Sequence, residues 1–271
     1  MKNIIKFIPF LIFLFVIQTE ADELIQLETR AGVTQPVLLW DVKSHTPDFL
    51  IVFFPSGNGN IGFKENNGKI EGKFYFLEKQ RELFNSSSFA VAIIDTPSDR
   101  KGLGESFRQS EAHFTDMKKV ISELKLRFPK SKIVLMGHSR GTVSAGYVSK
   151  ALENEIDATV LLSARYKIAE RPIDAPQEAP GGSGLSNLDF NELSNPTLLV
   201  HHLNDGCPST LYTDAKESAQ SIPLVTINGI VDDTPKISSE FALCSSGTNH
   251  WFAGQEKLVG EKVIEWLNEI K

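Results

Sequence analysis

The stretch KIVLMGHSRG, residues Lys132–Gly141, carries the most informative pattern in the chain. Its apolar half, Ile133–Met136, is typical of a short strand buried on both faces of a parallel sheet. Its second half, Gly137–Gly141, matches G-x-S-x-G, and a helical stretch over Arg140–Leu152 follows at once. A serine on so sharp a turn has its hydroxyl lifted above the edge of the sheet, near the positive end of the helix. The pattern predicts that Ser139 is a nucleophile, and the alternative is a serine that only caps the helix.

Apolar runs on either side of this stretch predict the rest of a sheet. They are Phe49–Phe54, Phe89–Ile94, Thr159–Leu162, Thr197–His201 and Leu224–Ile227. Apolar residues spaced by three and four positions predict amphipathic helices between Phe114 and Phe128 and between Leu258 and Ile270. Strands that alternate with helices form right-handed βαβ units. The predicted fold class is therefore α/β, with a mostly parallel sheet and helices on both of its faces.

The first 21 residues differ in composition from the rest of the chain. Lysines precede the apolar run Phe7–Ile17, and the small residues Thr19 and Ala21 then precede a cleavage position, which is the layout of a secretory signal peptide. The run is shorter than the ~20 residues that a membrane-spanning helix needs, so no stable membrane insertion is expected after cleavage. We therefore expect export, to the periplasm or out of the cell, and one domain over residues 22–271.

In the order of its elements and in its G-x-S-x-G turn, the chain resembles the α/β-hydrolase superfamily. The resemblance covers nearly all of residues 22–271 in element order, and its sequence-specific part is confined to the turn and a few loops. It implies the α/β-hydrolase fold and acyl transfer by a serine, an acid and a histidine that follow one another along the chain. Proline and glycine cluster in residues 165–195, where the family often inserts a lid, which predicts a short loop-rich cap.

The resemblance implies that His250 is the general base, because it lies between the last predicted strand and the C-terminal helix. The other histidines are His45, His113, His138, His201 and His202. Asp205 follows the strand Thr197–His201 in a turn and is expected to orient the imidazole of His250. The alternatives for the acid are Asp232 and Asp233, which follow the last strand, and Asp95, which ends a strand before the nucleophile.

The two cysteines flank the expected acid and base. Cys207 lies two residues after Asp205, and Cys244 lies six residues before His250. Because an exported protein meets oxidising conditions, a disulfide between them is expected. Such a bridge would hold the acid loop and the histidine loop together, and the alternative is a pair of unrelated buried thiols.

Acyl transfer also needs two backbone N–H groups that receive the negative charge of the oxyanion. The resemblance implies that one belongs to Arg140, the residue after the nucleophile. The other should come from the loop after Phe49–Phe54, where Asn58 is the expected donor and Gly57 is the alternative. The side chain of Arg140 is expected in a structural pair, rather than in attraction of an anionic substrate.

These observations predict a serine hydrolase that cleaves an ester-type bond of a small molecule through an acyl-enzyme. A net charge of −6 without a basic face argues against nucleic acid as a partner. No metal or organic cofactor is expected, because the histidines and cysteines do not have the spacing of a zinc site. The alternatives are a thioesterase, peptidase or acyltransferase with the same three residues, and a non-catalytic binding protein on the same scaffold.

Overall fold

The computed structural model describes residues 22–40, 42, 44, 46–67, 69–72, 75–167, 183–229 and 240–271. Ten strands lie within these ranges: β1 (Glu23–Arg30), β2 (Val33–Leu39), β3 (Phe49–Phe54), β4 (Lys64–Asn66), β5 (Lys69–Glu71), β6 (Phe89–Ile94), β7 (Lys132–His138), β8 (Ala158–Leu162), β9 (Thr197–His202) and β10 (Leu224–Ile227). The α-helices of the same ranges are α1 (Tyr75–Glu78), α2 (Arg81–Phe84), α3 (Glu105–Arg108), α4 (Glu111–Arg127), α5 (Gly141–Ala151), α6 (Tyr212–Ser218) and α7 (Glu256–Glu269).

Eight of the strands form one sheet in the order β1-β2-β6-β3-β7-β8-β9-β10. Within it, β2 runs antiparallel to both of its neighbours, and the strands from β6 to β10 pair in parallel. The predicted, mostly parallel sheet is thereby confirmed. Strands β4 and β5 form a separate antiparallel hairpin after β3.

Helices cover both faces of this sheet, as predicted. Side chains alternate between the faces along each strand, so Leu50, Val52 and Phe54 of β3 join a core with α4, α5 and α6. Their neighbours on β3 join a second core with α1, α2 and α7. All six residues of β3 are buried, which explains why its sequence is a continuous apolar run.

Strand β7 is longer than its apolar run predicts. Gly137 and His138 still pair with Leu161 and Leu162 of β8, so the strand continues to the residue just before Ser139. Helix α5 begins at Gly141. The turn between strand and helix is therefore only two residues long, Ser139 and Arg140.

Several predictions fall on residues outside the described ranges: the signal peptide over residues 1–21, His45, Asp232, Asp233 and much of the cap over residues 165–195. The C-terminal part of that segment, residues 183–195, is described, and there Leu185 and Leu188 pack against Gly146 of α5. No helix in the described part of the chain is long and apolar enough to cross a bilayer.

Candidate active site

The turn that carries Ser139 is strained, and two glycines make it possible. Ser139 has φ +53°, in the left-handed region that residues with a side chain seldom adopt. A β-carbon on Gly137 would overlap the backbone of Gly141, and one on Gly141 would overlap the carbonyl of Phe54. Because both neighbours lack a side chain, the backbone folds tightly enough to present Ser139 at the end of the sheet.

Three residues from separate loops meet at this turn. His250 Nε2 lies 2.9 Å from Ser139 Oγ, and His250 Nδ1 lies 2.9 Å from Asp205 Oδ2. His250 is 1% exposed and Ser139 is 9% exposed, so the contacts are shielded from bulk water. Because a carboxylate can only accept, the proton of the neutral imidazole belongs on Nδ1, which leaves the Nε2 lone pair facing the serine hydroxyl. The structure thus brings together Ser139, His250 and Asp205, which the sequence placed far apart.

The carboxylate of Asp205 accepts hydrogen bonds from several directions. Oδ1 accepts from the backbone N–H of Cys207 at 2.9 Å, and Oδ2 accepts from Thr210 Oγ1 at 3.0 Å. His201 Nε2 lies 3.3 Å from the same Oδ2. Burial favours the neutral acid, but the nearby imidazoles of His250 and His201 outweigh it and hold the pKa of Asp205 well below its usual range. The acid therefore stays ionised beside His250.

Thr210 and His201 are site residues that the sequence analysis missed. Thr210 Oγ1 is 3.0 Å from His250 Nδ1 as well as from Asp205, and His201 Nε2 donates to the Thr210 carbonyl at 2.6 Å. His201 lies near the end of β9, four residues before Asp205. This closeness in sequence is the one signal that could have indicated its role. Thr210 carries no such signal, since the turn that brings it back is set by the fold.

The backbone of His250 is fixed separately from its ring. Its carbonyl accepts hydrogen bonds from His138 Nε2 at 3.1 Å and from Ser163 Oγ at 2.8 Å. The ring of His138 stacks on Phe76, with centroids 4.5 Å apart. Burial lowers the pKa of His138 to about 3, so this ring is neutral at ordinary pH. His138 is therefore packed in the core beside Phe76, and its hydrogen bond positions the loop that carries His250.

The expected disulfide between Cys207 and Cys244 is present. Its two ends contact the two loops of the site: the Cys207 N–H donates to Asp205, and the Cys244 carbonyl accepts from Trp251 Nε1 at 3.0 Å. Trp251 follows His250 directly, and its ring packs edge-on against His138. The bridge thus joins the acid loop to the loop of the histidine.

The loop expected to complete the oxyanion hole follows β3 and lies against the same turn. The close approach of Gly141 to the Phe54 carbonyl brings the start of this loop next to α5. Gly57 and Asn58 are exposed, and the Asn58 carbonyl accepts from the Leu103 N–H at 2.6 Å. Arg140 occupies the turn between Ser139 and α5, where its backbone N–H follows the serine directly.

Asp95, an alternative for the acid, is committed elsewhere. Its carboxylate accepts from the backbone N–H groups of Ile61, Gly62, Phe63 and Thr96 at 2.7–3.1 Å. It therefore fixes the chain between the loop after β3 and the hairpin of β4 and β5. Among the described residues, no group of three or more histidine, cysteine or acidic side chains is arranged to hold a metal ion.

Neither a protein-family model nor a curated protein sequence matches the chain. Solved structures do match over nearly its whole length. An alpha-beta serine hydrolase homologue from Coxiella burnetii superposes with a TM-score of 0.56 at 13% identity, covering 93% of this chain and 99% of the other. The protein XC6422 from Xanthomonas campestris, described as an a/b serine hydrolase without lid, gives a TM-score of 0.54 at 13% identity, over 91% of this chain and 95% of its own.

A third match is Est1E from Butyrivibrio proteoclasticus in complex with ferulic acid. It gives a TM-score of 0.59 at 18% identity, over 90% of this chain and 98% of its own. At identities this low, a structural match establishes a shared fold only, and a shared fold can host different chemistries. What this chain does therefore depends on its own side chains at the turn.

Proposed function

We propose that this chain, which has the α/β-hydrolase fold, is a serine hydrolase with Ser139 as nucleophile, His250 as general base and Asp205 as the orienting acid. The observation that carries the proposal is the buried, continuous hydrogen-bonded chain from Ser139 Oγ through both nitrogens of His250 to Asp205. A serine hydroxyl is a weak nucleophile until a base removes its proton, and this arrangement supplies the base and its orienting partner.

The reaction follows from these positions. His250 Nε2 takes the Ser139 proton while Oγ bonds to the substrate carbonyl carbon, and the carbonyl oxygen becomes an oxyanion held by backbone N–H groups of Arg140 and Asn58. The tetrahedral species collapses when the protonated His250 gives that proton to the leaving alcohol. Water then enters with His250 again as base, the acid product leaves, and Ser139 regains its proton.

We propose an ester of a small molecule as the substrate class. The solved structures that match this chain include a cold-adapted esterase from an Arctic intertidal metagenomic library, at a TM-score of 0.53 and 15% identity. The arrangement of serine, histidine and acid serves acyl transfer without any added group. Thioesters and amides share this chemistry, so a thioesterase, peptidase or acyltransferase differs only in the leaving group or the acceptor.

Hydrolysis of p-nitrophenyl esters from C2 to C12 by the protein and its Ser139→Ala variant tests the proposal. We expect turnover by the wild type and a loss of at least about 10⁴-fold in kcat for the variant, since the nucleophile is gone. Labelling by a fluorophosphonate probe should disappear in the same variant. If the wild type neither hydrolyses the esters nor takes up the probe, the proposal is wrong, and a non-catalytic binding protein takes its place.

We also propose that the chain is exported after removal of residues 1–21. The disulfide between Cys207 and Cys244 supports an oxidising compartment, because such bridges seldom persist in the reducing cytosol. Sequencing the N-terminus of the protein recovered from a producing cell checks this, and a mature chain that begins at Asp22 is expected. A chain that keeps Met1 in the cytosolic fraction would contradict export.

A further inference from the structure

Arg108 is a fully buried cation to which the proposed reaction gives no role. It is 0% exposed, although it lies at the end of the short helix α3 after a polar loop. Moving a guanidinium out of water is costly unless hydrogen bonds replace its hydration. The groups that this side chain contacts therefore indicate what it does.

The contacts of Arg108 connect the loop after β3 with helix α5. Nη1 donates to Ser144 Oγ of α5 at 2.8 Å, and Nη2 donates to the Gly57 carbonyl at 3.3 Å. Nε donates to the Leu103 carbonyl at 3.4 Å. A β-carbon on Gly59 would lie 2.9 Å from Nη2, so this glycine lets the guanidinium approach the loop. The loop and the helix that begins after Ser139 are thus held by one side chain.

These contacts fix the direction of one peptide group. In a trans peptide the carbonyl and the following N–H point in opposite directions, and the described chain contains no cis peptide. Because Arg108 holds the Gly57 carbonyl, the N–H of Asn58 points away from the guanidinium. Within the ranges that the structure describes, this N–H makes no hydrogen bond.

The peptide on the other side of Asn58 is fixed as well. Its carbonyl accepts from the Leu103 N–H, while the Leu103 carbonyl accepts from Arg108. Both carbonyls that flank the Asn58 N–H therefore accept a hydrogen bond, that of Gly57 from Arg108 and that of Asn58 from Leu103. A donor that is held in place but has no acceptor is what an oxyanion hole requires, because the charge arrives only during the reaction.

We propose that Arg108 is a positioning residue for the oxyanion hole. By holding the Gly57 carbonyl it aims the Asn58 N–H, and its positive charge polarises that peptide so that the N–H becomes a stronger donor. This assigns the second donor to Asn58 rather than to Gly57. The inference rests on the proposed function, because an oxyanion forms only if Ser139 attacks a carbonyl.

Arg108→Lys is the first variant to test, because lysine keeps the charge but lacks the planar fork that holds two carbonyls. With p-nitrophenyl acetate, kcat per competent serine should fall roughly 10- to 100-fold while KM changes less than about threefold. Affinity for phenylboronic acid, which forms a tetrahedral adduct with serine, should fall in proportion to kcat. The pH at half-maximal activity should stay constant, because the base is untouched.

Two serines of α5 provide a matched pair of further variants. Ser144 holds Arg108, whereas Ser149 is also buried but bonds to Asn195 and Thr159, away from the loop. Ser144→Ala should lower kcat and boronate affinity in the same direction as Arg108→Lys. Ser149→Ala should lower only the unfolding temperature. Titration with a fluorophosphonate gives the concentration of reactive serines. Dividing the maximal rate by this concentration keeps misfolded protein from lowering kcat.

The outcomes separate the two proposals. If Arg108→Lys and Ser144→Ala both keep kcat and boronate affinity within about twofold of wild type, the positioning role of Arg108 is refuted while the serine hydrolase stands. If the wild type is not labelled by the fluorophosphonate, the proposed function fails and the role of Arg108 fails with it.

Discussion

The hydroxyl of Thr210 lies between the two residues proposed as acid and base. It is 3.0 Å from Asp205 Oδ2 and 3.0 Å from His250 Nδ1, and all three side chains are buried. A hydrogen bond to a charged group contributes about 1.5–3 kcal/mol where no water can replace it. Thr210 should therefore help to keep Asp205 ionised and fix the ring that it orients.

Replacing Thr210 by valine removes this hydroxyl and keeps the shape of the side chain. We expect Thr210→Val to lower kcat by roughly tenfold or more with little change in KM, because the acid loses a donor while the substrate site is untouched. Thr210→Ser, which keeps the hydroxyl, is the control and should remain near wild type. Equal activity of the valine and serine variants in steady-state assays would show that the hydroxyl has no part in the reaction.

At the scale of elements, the turn at Ser139 could be predicted because its signals are local. The apolar strand, the two glycines and the helix are contiguous in sequence, and the two glycines are required because a β-carbon at either position would overlap neighbouring backbone. The positions of His250 and Asp205 required knowledge of element order, since parallel strands bring the loops at their ends to one edge. Thr210 and Arg108 could not be predicted, because their contacts depend on how turns fold back in space.

The disulfide connects two elements that the sheet alone does not join. Cys207 and Cys244 are 37 residues apart, and closing such a loop contributes roughly 3–4 kcal/mol in the chain-entropy model. In addition, each cysteine hydrogen-bonds through its backbone to a residue of the site or its neighbour. The bridge should therefore affect both the stability of the fold and the alignment of Asp205 with His250.

The double variant Cys207→Ser, Cys244→Ser tests both effects. We expect its unfolding temperature to fall by roughly 6–15 °C and its kcat to fall with it, because the loops of acid and base can then move apart. A reductant should reproduce these losses in the wild type and leave the double variant unchanged. Wild-type activity and melting that are indifferent to reductant would contradict the alignment role.

At the scale of the whole molecule, each side of the sheet buries a histidine whose pKa is strongly lowered. His113 packs against Phe54 and Phe107, and His138 packs against Phe76 and Trp251. Burial lowers the pKa of each to about 3. In the unfolded chain a histidine has an ordinary pKa of about 6.5. Below that pH the two histidines therefore bind protons in the unfolded state but remain neutral in the native state.

The free energy of unfolding should therefore fall with pH from about 6.5 towards 3, by about 1.4 kcal/mol per pH unit for each of these histidines. Above about 6.5 both states are neutral at these rings and the effect vanishes. His113 Nε2 lies 3.0 Å from Ser144 Oγ. His113→Gln, which retains a polar group at this position, should lower the free energy of unfolding at pH 7 but reduce its slope at acidic pH. Urea unfolding between pH 4.5 and 7.5 measures both quantities. Parallel curves for wild type and variant would contradict the role of His113.

Ser139, Asp205 and His250 follow β7, β9 and β10, so the chain supplies them in that order. A polypeptide that emerges from the ribosome N-terminus first contains its serine long before its base. On the proposed function and export, the nascent chain carries a serine without its base, and hydrolysis begins once the loop that carries His250 has docked. Pairing of Cys207 with Cys244 then raises kcat by aligning Asp205 with His250. If the chain is the proposed hydrolase, the order of its synthesis alone delays its activity until the last of the three residues has been made.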